Sequence, residues 1–149
     1  NQSLIALSLS DAWCVDRHRA DLLYYVKNHV NILFANEDEA ISLVETDHPK
    51  SVQILADLVD ESVITRGPLG AVICHDGQNF SVEANPQGPV IDTTGAGDLF
   101  AAGYLFGRTH NYDAKTSGRI ASMLAGEVIS HVGARPKADL KALIKPIVD

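Results

Sequence analysis

Cysteine is scarce in this sequence, and the two cysteines stand far apart. Cys14 and Cys74 are the only ones among the 149 residues, and they form neither a CxxC pair nor a metal-type spacing. A small secreted domain held by disulfides would carry more cysteines at closer spacing. The composition, 46% hydrophobic and 21% charged, instead predicts one globular domain whose core is large enough without disulfides or a structural metal.

Long apolar runs and an excess of positive charge are also missing. No stretch is long enough to span a bilayer, and the first residues lack the pattern of a signal peptide, so we expect a cytoplasmic protein with no membrane partner. The net charge of −7 would repel a polyanion, so nucleic acid is not an expected partner. A nucleotide is compatible with this charge, because its binding depends on local groups.

Apolar runs and helical patterns alternate along the chain. Residues 4–9 and 31–35 predict buried strands, and we expect the chain to be the rear part of a longer protein because it opens almost directly on such a strand. Strands that alternate with helices form a parallel sheet covered by helices on both faces. The prediction is therefore an α/β fold in three layers, with further strands at residues 62–65, 71–74 and 80–84 and helices over 16–29, 36–45, 49–59, 98–107, 112–131 (stopped by Gly133) and 136–148.

An antiparallel hairpin is predicted in the middle of the chain. Residues 75–78 read His-Asp-Gly-Gln, and a glycine after an aspartate between two apolar runs is a strong hairpin signal. The sheet is thus expected to be mostly parallel with one antiparallel addition.

Residues 92–98 read DTTGAGD and lie where a loop becomes a helix. Small residues let a ligand approach the backbone, and the N–H groups of a first helical turn have no partner inside the helix. Together with the helix dipole they form an anion site, which suits a phosphoryl group in transfer. Asp98 is placed to accept the proton of an attacking hydroxyl. A plain tight turn in which Asp98 caps the helix would have the same sequence, so both interpretations stay open.

Two commoner glycine motifs are excluded. The sequence contains no GxxxxGK[ST], so it is not a P-loop protein. A dinucleotide fingerprint would need Gly or Ala at position 100, where Phe100 stands. A nicotinamide-binding domain is therefore disfavoured.

Two shorter motifs have both a structural and a functional interpretation. Residues 36–39 contain N-x-x-E, which is either an acidic helix start or part of a site. Residues 65–70 read TRGPLG, which is either a glycine loop between strands or a ligand-binding segment. Arg66 would add a charge near phosphates in the second case, and would be a solvated surface residue in the first.

The string from Asp92 to Asp98, followed by Phe100 and Gly103, closely resembles the C-terminal signature of the ribokinase-like carbohydrate and nucleoside kinases. The resemblance implies a three-layer, ribokinase-like (Rossmann-like) fold and ATP-dependent phosphoryl transfer to a hydroxyl of a sugar or nucleoside. It also implies an anion hole built by the N–H groups of the GAGD turn, with the last aspartate as the base. The catalytic residues would be Gly95, Ala96, Gly97 and Asp98.

The same resemblance implies cofactors. Asn36 and Glu39 match a family N-x-x-E motif that helps organise Mg²⁺ and phosphate, largely through water. Asp92 and Thr94 match positions that in many members help hold a monovalent cation such as K⁺. Lys137 stands where some relatives carry serine near that cation, which puts monovalent-cation activation in doubt.

The remaining implied positions concern the nucleotide. Residues 133–136 match the family's G-A-x-P ending, and Ser122 stands where relatives often carry asparagine beside the adenine. Residues 65–70 fit the T-x-G-x-x-G segment that lines the ATP site. The resemblance thus implies ATP contacts by Thr65, Gly67, Gly70, Gly97 and Ser122.

The resemblance covers residues 1–149 but corresponds to the rear half of a family member. The lid and most of the substrate-binding part would lie outside it, so the chain is expected to be a partial fold. Residues 98–103 and 127–131 resemble bacterial adenosine-kinase-like sugar kinases. Members often pair through the lid, so without it the resemblance leaves open whether a homodimer forms. The alternative is a nucleotide-binding fragment with no turnover of its own.

Overall fold

A computed structural model describes residues 3–149, and its strands form one sheet whose spatial order follows the chain order. Helices alternate with the early strands and dominate the later part of the chain. The strands are β1 (Ala6–Ser8), β2 (Ile32–Asn36), β3 (Glu61–Thr65), β4 (Ala71–His75) and β5 (Gln78–Val82). The helices are α1 (Ala12–His29), α2 (Glu37–Val44), α3 (His48–Leu58), α4 (Ala96–Thr109), α5 (Ala114–Val128) and α6 (Leu140–Val148), with a short 3₁₀ turn at Gly67–Leu69.

The first three strands are parallel, as predicted. β1 pairs with β2 and β2 pairs with β3, each in parallel orientation. The register places Asn36 opposite Thr65. The carboxyl ends of β2 and β3 therefore bring two motifs that are distant in sequence to one edge of the sheet.

The predicted hairpin is also present. Asp76 and Gly77 both have positive φ, at 49° and 71°, which is the geometry of a type I′ turn. This turn joins β4 to β5 as antiparallel neighbours, so the sheet is mixed.

The chain divides into two compact units. The first contains residues up to Arg66 together with 72–79, and the second contains 67–71 and 80–149. In the first unit, α1, α2 and α3 cover a core of aliphatic side chains. Its buried members are Leu9, Val15, Val26, Val30, Leu33, Ala35, Ala40, Leu43, Val52, Leu55, Ile64 and Cys74.

The second unit is built on a close pair of helices, α4 and α5. A Cβ atom on Gly103 would lie 2.8 Å from the Cα of Ala121, so glycine is needed for the approach. Ile120, Leu124 and Ile144 form a smaller core between α5 and α6. No helix within residues 3–149 has the length and apolarity to cross a membrane.

The prediction of a buried strand at residues 4–9 is wrong in two respects. The strand is limited to Ala6–Ser8, and Leu4 and Ile5 are 68% and 40% exposed. The reason is the place of β1 in the sheet: among the described residues it is the first strand and pairs with β2 alone. One neighbour cannot cover both sides of a strand.

Several helix boundaries also differ from the prediction. α5 ends at Val128 rather than near Gly133, and Ile129 follows it as the C-cap. α6 begins only at Leu140, because the carboxylate of Asp139 accepts the N–H groups of Lys141 and Ala142. Residues 129–139 are therefore a loop.

Candidate functional site

The glycine turn forms the N-terminus of α4. Gly95 is the N-cap with φ 82° and ψ 0°, and no side chain caps the helix. Asp98 is the third helical residue and is exposed, so the interpretation in which Asp98 caps the helix is wrong. The N–H groups of Gly97 and Asp98 belong to the turn that lacks acceptors within a helix. These are the conditions for binding an anion at this helix end.

The two positions of the turn carry glycine for different reasons. Gly95 has the left-handed backbone that favours glycine, and a Cβ atom there would lie 2.8 Å from the Cβ of Ala134. Nothing lies within 4 Å of the position that a Cβ of Gly97 would take. The space beside Gly97 is thus open, while Gly95 is packed against the loop after α5.

Asp92 joins the glycine turn to the same loop. Its Oδ1 accepts the N–H of Thr94 at 2.9 Å, and its Oδ2 accepts the N–H of Gly133 at 2.9 Å. These bonds, first that from Gly133 and then those from Thr94, lower the pKa of Asp92 to about 2. Both oxygens already accept a backbone N–H, so a cation at Asp92 and Thr94 would have to share them, and this site stays a prediction.

The pH dependence of stability should report on Asp92. Its pKa is about 2 in the folded protein, below the value of about 3.9 expected in the unfolded chain. Because folding lowers its pKa, the Asp92 carboxylate stabilises the folded protein at pH values above its pKa in the unfolded chain. This stabilisation is lost as pH falls from about 4 to about 2. Urea unfolding of wild type and Asp92→Asn should show a stability difference at pH 6 that shrinks across that window. A difference independent of pH would contradict the assignment.

Glu127 is a site residue that the sequence analysis did not identify. Its side chain is buried, and Oε1 accepts the N–H groups of Lys137 and Ala138, both at 2.9 Å. His131 Nε2 lies 3.2 Å from the same oxygen. Burial alone would raise the pKa of Glu127, but the two N–H groups and His131 lower it. Residues 131–138, named here the Gly133 loop, are thus held by Glu127 near both ends and by Asp92 at Gly133.

Removing this anchor should cost stability. We expect Glu127→Ala to lower the free energy of unfolding by about 1–3 kcal/mol, because two backbone N–H groups lose their buried acceptor. Glu127→Gln keeps an acceptor oxygen and should lose less. Chemical denaturation of wild type and the two variants measures the free energies of unfolding. Equal losses of stability in both variants would show that the charge of Glu127 matters rather than its hydrogen bonds.

Gly70 and Ser122 are brought together in the second unit by residues 82–84. A Cβ atom on Gly70 would lie 1.9 Å from the carbonyl oxygen of Val82, so only glycine fits. The Ser122 hydroxyl donates to the carbonyl of Glu83 at 2.6 Å. An open cavity of about 390 Å³ lies beside this contact, since both Glu83 and Ser122 line it. Its lining also includes Met123, Lys115 and Arg119 of α5.

Asn36 and Glu39 form a reciprocal capping box in the first unit. The Asn36 side chain accepts the N–H of Glu39 at 2.8 Å, and Glu39 Oε2 accepts the N–H of Asn36 at 2.9 Å. Glu39 is 5% exposed, and its burial raises its pKa, as do Asp11 and Asp38 by their charges, against the lowering effect of the Asn36 N–H. The structural role of N-x-x-E as a helix start is therefore confirmed.

The same geometry limits how these two residues could serve a metal. Both carboxylate oxygens of Glu39 already accept hydrogen bonds from Asn36. Within residues 3–149, no group of three or more His, Cys, Asp or Glu side chains could hold a metal ion. Mg²⁺ keeps several waters by preference, and a magnesium site held through water at Asn36 and Glu39 stays a prediction.

Thr65 and Arg66 follow the carboxyl end of β3. The Thr65 hydroxyl lies 3.5 Å from the carbonyl oxygen of Ala35, at the limit of a hydrogen bond. Arg66 Nε lies 3.1 Å from Glu37 Oε1, and the Arg66 side chain is 29% exposed. Arg66 is therefore ion-paired and partly buried, and its role near phosphates stays a prediction.

The predicted residues thus form three local groups. Asp92, Thr94 and residues 95–98 meet at the start of α4. Gly70 meets Ser122 through Glu83. In the first unit, Asn36 and Thr65 are register partners at the carboxyl edge of the sheet.

Comparison with known proteins finds one family along most of the chain. A sequence model described as pfkB family carbohydrate kinase matches residues 6–141. A cytidine kinase of Thermococcus kodakarensis is 36% identical over 122 residues, which cover 77% of this chain and 42% of that protein.

Solved structures resemble this chain over nearly its whole length. Adenosine kinase from Sinorhizobium meliloti has a TM-score of 0.92 and 35% identity, covering 96% of this chain and 44% of that one. A nucleoside kinase of Methanocaldococcus jannaschii, an archaeal member of the ribokinase family, has a TM-score of 0.82 and 24% identity, covering 99% of this chain and 49% of that one. These matches confirm the ribokinase-like fold, and the chain spans less than half of each relative.

Proposed function

The chain belongs to the pfkB family of carbohydrate kinases, and we propose that it supplies the ATP-binding and phosphoryl-transfer part of a kinase acting on a hydroxyl of a sugar or nucleoside. The observation that carries the proposal is the uncapped start of α4, with open space beside Gly97 and the exposed carboxylate of Asp98. The likeness to proteins named as cytidine and adenosine kinases supports it.

The proposed chemistry uses the start of α4 in two ways. The N–H groups of Gly97 and Asp98, with the helix dipole, would stabilise the charge that develops on the γ-phosphoryl group. The N–H of Ala96 already donates to the carbonyl of Thr93 at 3.2 Å, so it would have to leave that partner to join them. Asp98 would accept the proton of the substrate hydroxyl as its oxygen bonds to phosphorus and the bond to ADP breaks. Gly95 would fix the turn that aims these groups.

The cofactor assignments rest on the local groups described above. Mg²⁺, when bound with ATP, neutralises phosphate charge; Asn36 and Glu39 would hold it through water. Thr65, Gly67, Gly70 and Ser122 would line the nucleotide site. Asp92 and Thr94 are the proposed ligands of a monovalent cation such as K⁺.

The expected location and partners of the protein are predicted from its composition. A cytoplasmic location and the absence of nucleic-acid and membrane partners are predictions from the net charge of −7 and the lack of long apolar runs. The family resemblance leaves open whether a homodimer forms.

A second candidate function is nucleotide binding without turnover. It is favoured by the length of the chain, which covers 42% of the cytidine kinase and 44% of the adenosine kinase.

One experiment separates these candidates. Calorimetry of this chain with ATP and Mg²⁺ measures binding, and a coupled assay with ribose, fructose and adenosine measures turnover. Binding with turnover supports the kinase, and binding alone supports the nucleotide-binding part. No ATP binding, or saturable binding of NADH instead, would overturn both.

A further inference from the structure

Arg66 is the first residue after β3, in the first unit. Its Nε atom donates to Glu37 Oε1 at 3.1 Å, and Glu37 is the first residue of α2. His48 Nε2 lies 3.4 Å from the same oxygen. The Arg66 side chain is 29% exposed, so the guanidinium is fixed by neighbours rather than extended into solvent.

The ion pair leaves most of the Arg66 guanidinium unused. A guanidinium carries five N–H donors, and the bond to Glu37 uses the one on Nε. The two terminal nitrogens have no protein acceptor among the described residues. A planar pair of unused donors, held in place by a carboxylate on its other edge, suits two phosphate oxygens.

The position of Arg66 in the sheet favours a ligand contact. Asn36 and Thr65 are register partners at the carboxyl ends of parallel strands β2 and β3, and Arg66 is one residue further. In α/β sheets, ligands bind outside these ends. Arg66 also lies near the start of α2, where the helix dipole disfavours a cation unless an anion is close. Glu37 supplies one negative charge, and a phosphate group would supply more.

We propose that Arg66 binds the polyphosphate of the nucleotide and that Glu37 is its positioning residue. The proposal rests on the proposed function, since it requires that the chain bind ATP. It adds a preference for nucleoside triphosphates and diphosphates over monophosphates, because the attraction between Arg66 and its ligand grows with phosphate charge. The motif T-x-G-x-x-G does not specify this residue, and the contact with Glu37 is visible only in the structure.

Calorimetry with ATP, ADP and AMP, each with Mg²⁺, tests the contact. For Arg66→Gln we expect the dissociation constants of ATP and ADP to rise about tenfold or more, which is the loss of a charge-assisted hydrogen bond. The dissociation constants of Arg66→Lys should lie between those of wild type and Arg66→Gln, because lysine keeps the charge but cannot present the paired donors. Arg17→Gln is the matched control: Arg17 is exposed on α1, 4.2 Å above the ring of Trp13.

Glu37→Ala tests the positioning role separately. Removing an acid near phosphates would by charge alone tighten ATP binding, whereas loss of the Arg66 geometry would weaken it. We expect weaker binding, and no further loss when Glu37→Ala is added to Arg66→Gln, since Glu37 acts through Arg66. Tighter binding in Glu37→Ala would overturn the positioning role.

The outcomes distinguish this proposal from the proposed function. Wild type that binds no ATP would overturn the proposed function and this inference with it. Wild type that binds ATP, with Arg66→Gln binding it equally well, would overturn only the role of Arg66. A loss in Arg66→Gln that is the same for ATP, ADP and AMP and is accompanied by a lower Tm would indicate a structural role and also overturn it.

Discussion

Replacing Asp98 by asparagine is expected to lower kcat by about 10²–10⁴-fold while ATP binding stays nearly unchanged. The reason is chemical, because asparagine has the shape of aspartate but cannot accept the proton of the substrate hydroxyl. Asp98 is exposed on the first turn of α4 and does not cap the helix, so the substitution removes no structural hydrogen bond that caps α4. Removing a negative charge beside an anion site lowers the repulsion of a polyphosphate, so on electrostatic grounds we expect ATP binding to be retained.

The Asp98 experiment requires the intact protein, since the chain spans less than half of its relatives. Steady-state rates in a coupled assay and calorimetry with ATP and Mg²⁺ give the two quantities. Asp21→Asn is a matched control, because Asp21 is an exposed acid on α1 in the first unit. Wild-type kcat in Asp98→Asn would contradict the role of Asp98 as the base. Loss of ATP binding in the same variant would instead show that Asp98 helps hold the nucleotide.

Local sequence patterns predicted much of the fold because their causes are local. In one interpretation residues 36–39 were expected to start a helix, and the structure has a complete capping box there. The Asp-Gly pair at 76 and 77 predicted a hairpin, because both residues readily adopt positive φ. Parallel pairing of the early strands followed from their alternation with helices.

Features that depend on distant residues could not be predicted in this way. The exposure of Leu4 and Ile5 depends on which strands lie beside β1, and a periodic pattern does not contain that information. The helix α5 was expected to continue to His131, but it ends at Val128. The Gly133 loop that follows is held by Asp92, 41 residues earlier, as well as by Glu127.

In the candidate site, too, local features were predicted and features that depend on distant residues were not. The glycines of residues 92–98 have a recognisable spacing, so the helix start that they form was predicted from sequence. Glu127 carries no motif of its own, since its role comes from the backbone N–H groups of Lys137 and Ala138. Arg66 was named as a charge near phosphates in one of two interpretations, but its contact with the carboxylate of Glu37 could not be predicted from the sequence. The one sequence signal for an anchored loop is a glutamate shortly before the G-A-x-P ending, because a glutamate that the fold buries needs hydrogen-bond partners.

Alanine at the two glycines of the turn is expected to have opposite effects on stability. Gly95→Ala should lower the free energy of unfolding by about 1–2 kcal/mol for the left-handed backbone alone. The clash with Ala134, 2.8 Å from the new Cβ, adds to this loss. Gly97→Ala meets nothing within 4 Å and should stabilise α4 by about 0.5–1 kcal/mol, because alanine favours a helix over glycine. Urea denaturation measures both changes.

Activity should fall in both variants in spite of these opposite effects, and this makes Gly97 the sharper test. In Gly97→Ala the new methyl group occupies the open space beside the first-turn N–H groups, where the proposal places the transferring phosphoryl group. A stabilised protein with kcat reduced by about tenfold or more cannot owe its loss to unfolding, so the space itself must be used in the reaction. Full activity in Gly97→Ala would mean that no phosphoryl group comes this close to the start of α4, and the assignment of this turn as the anion hole would fail.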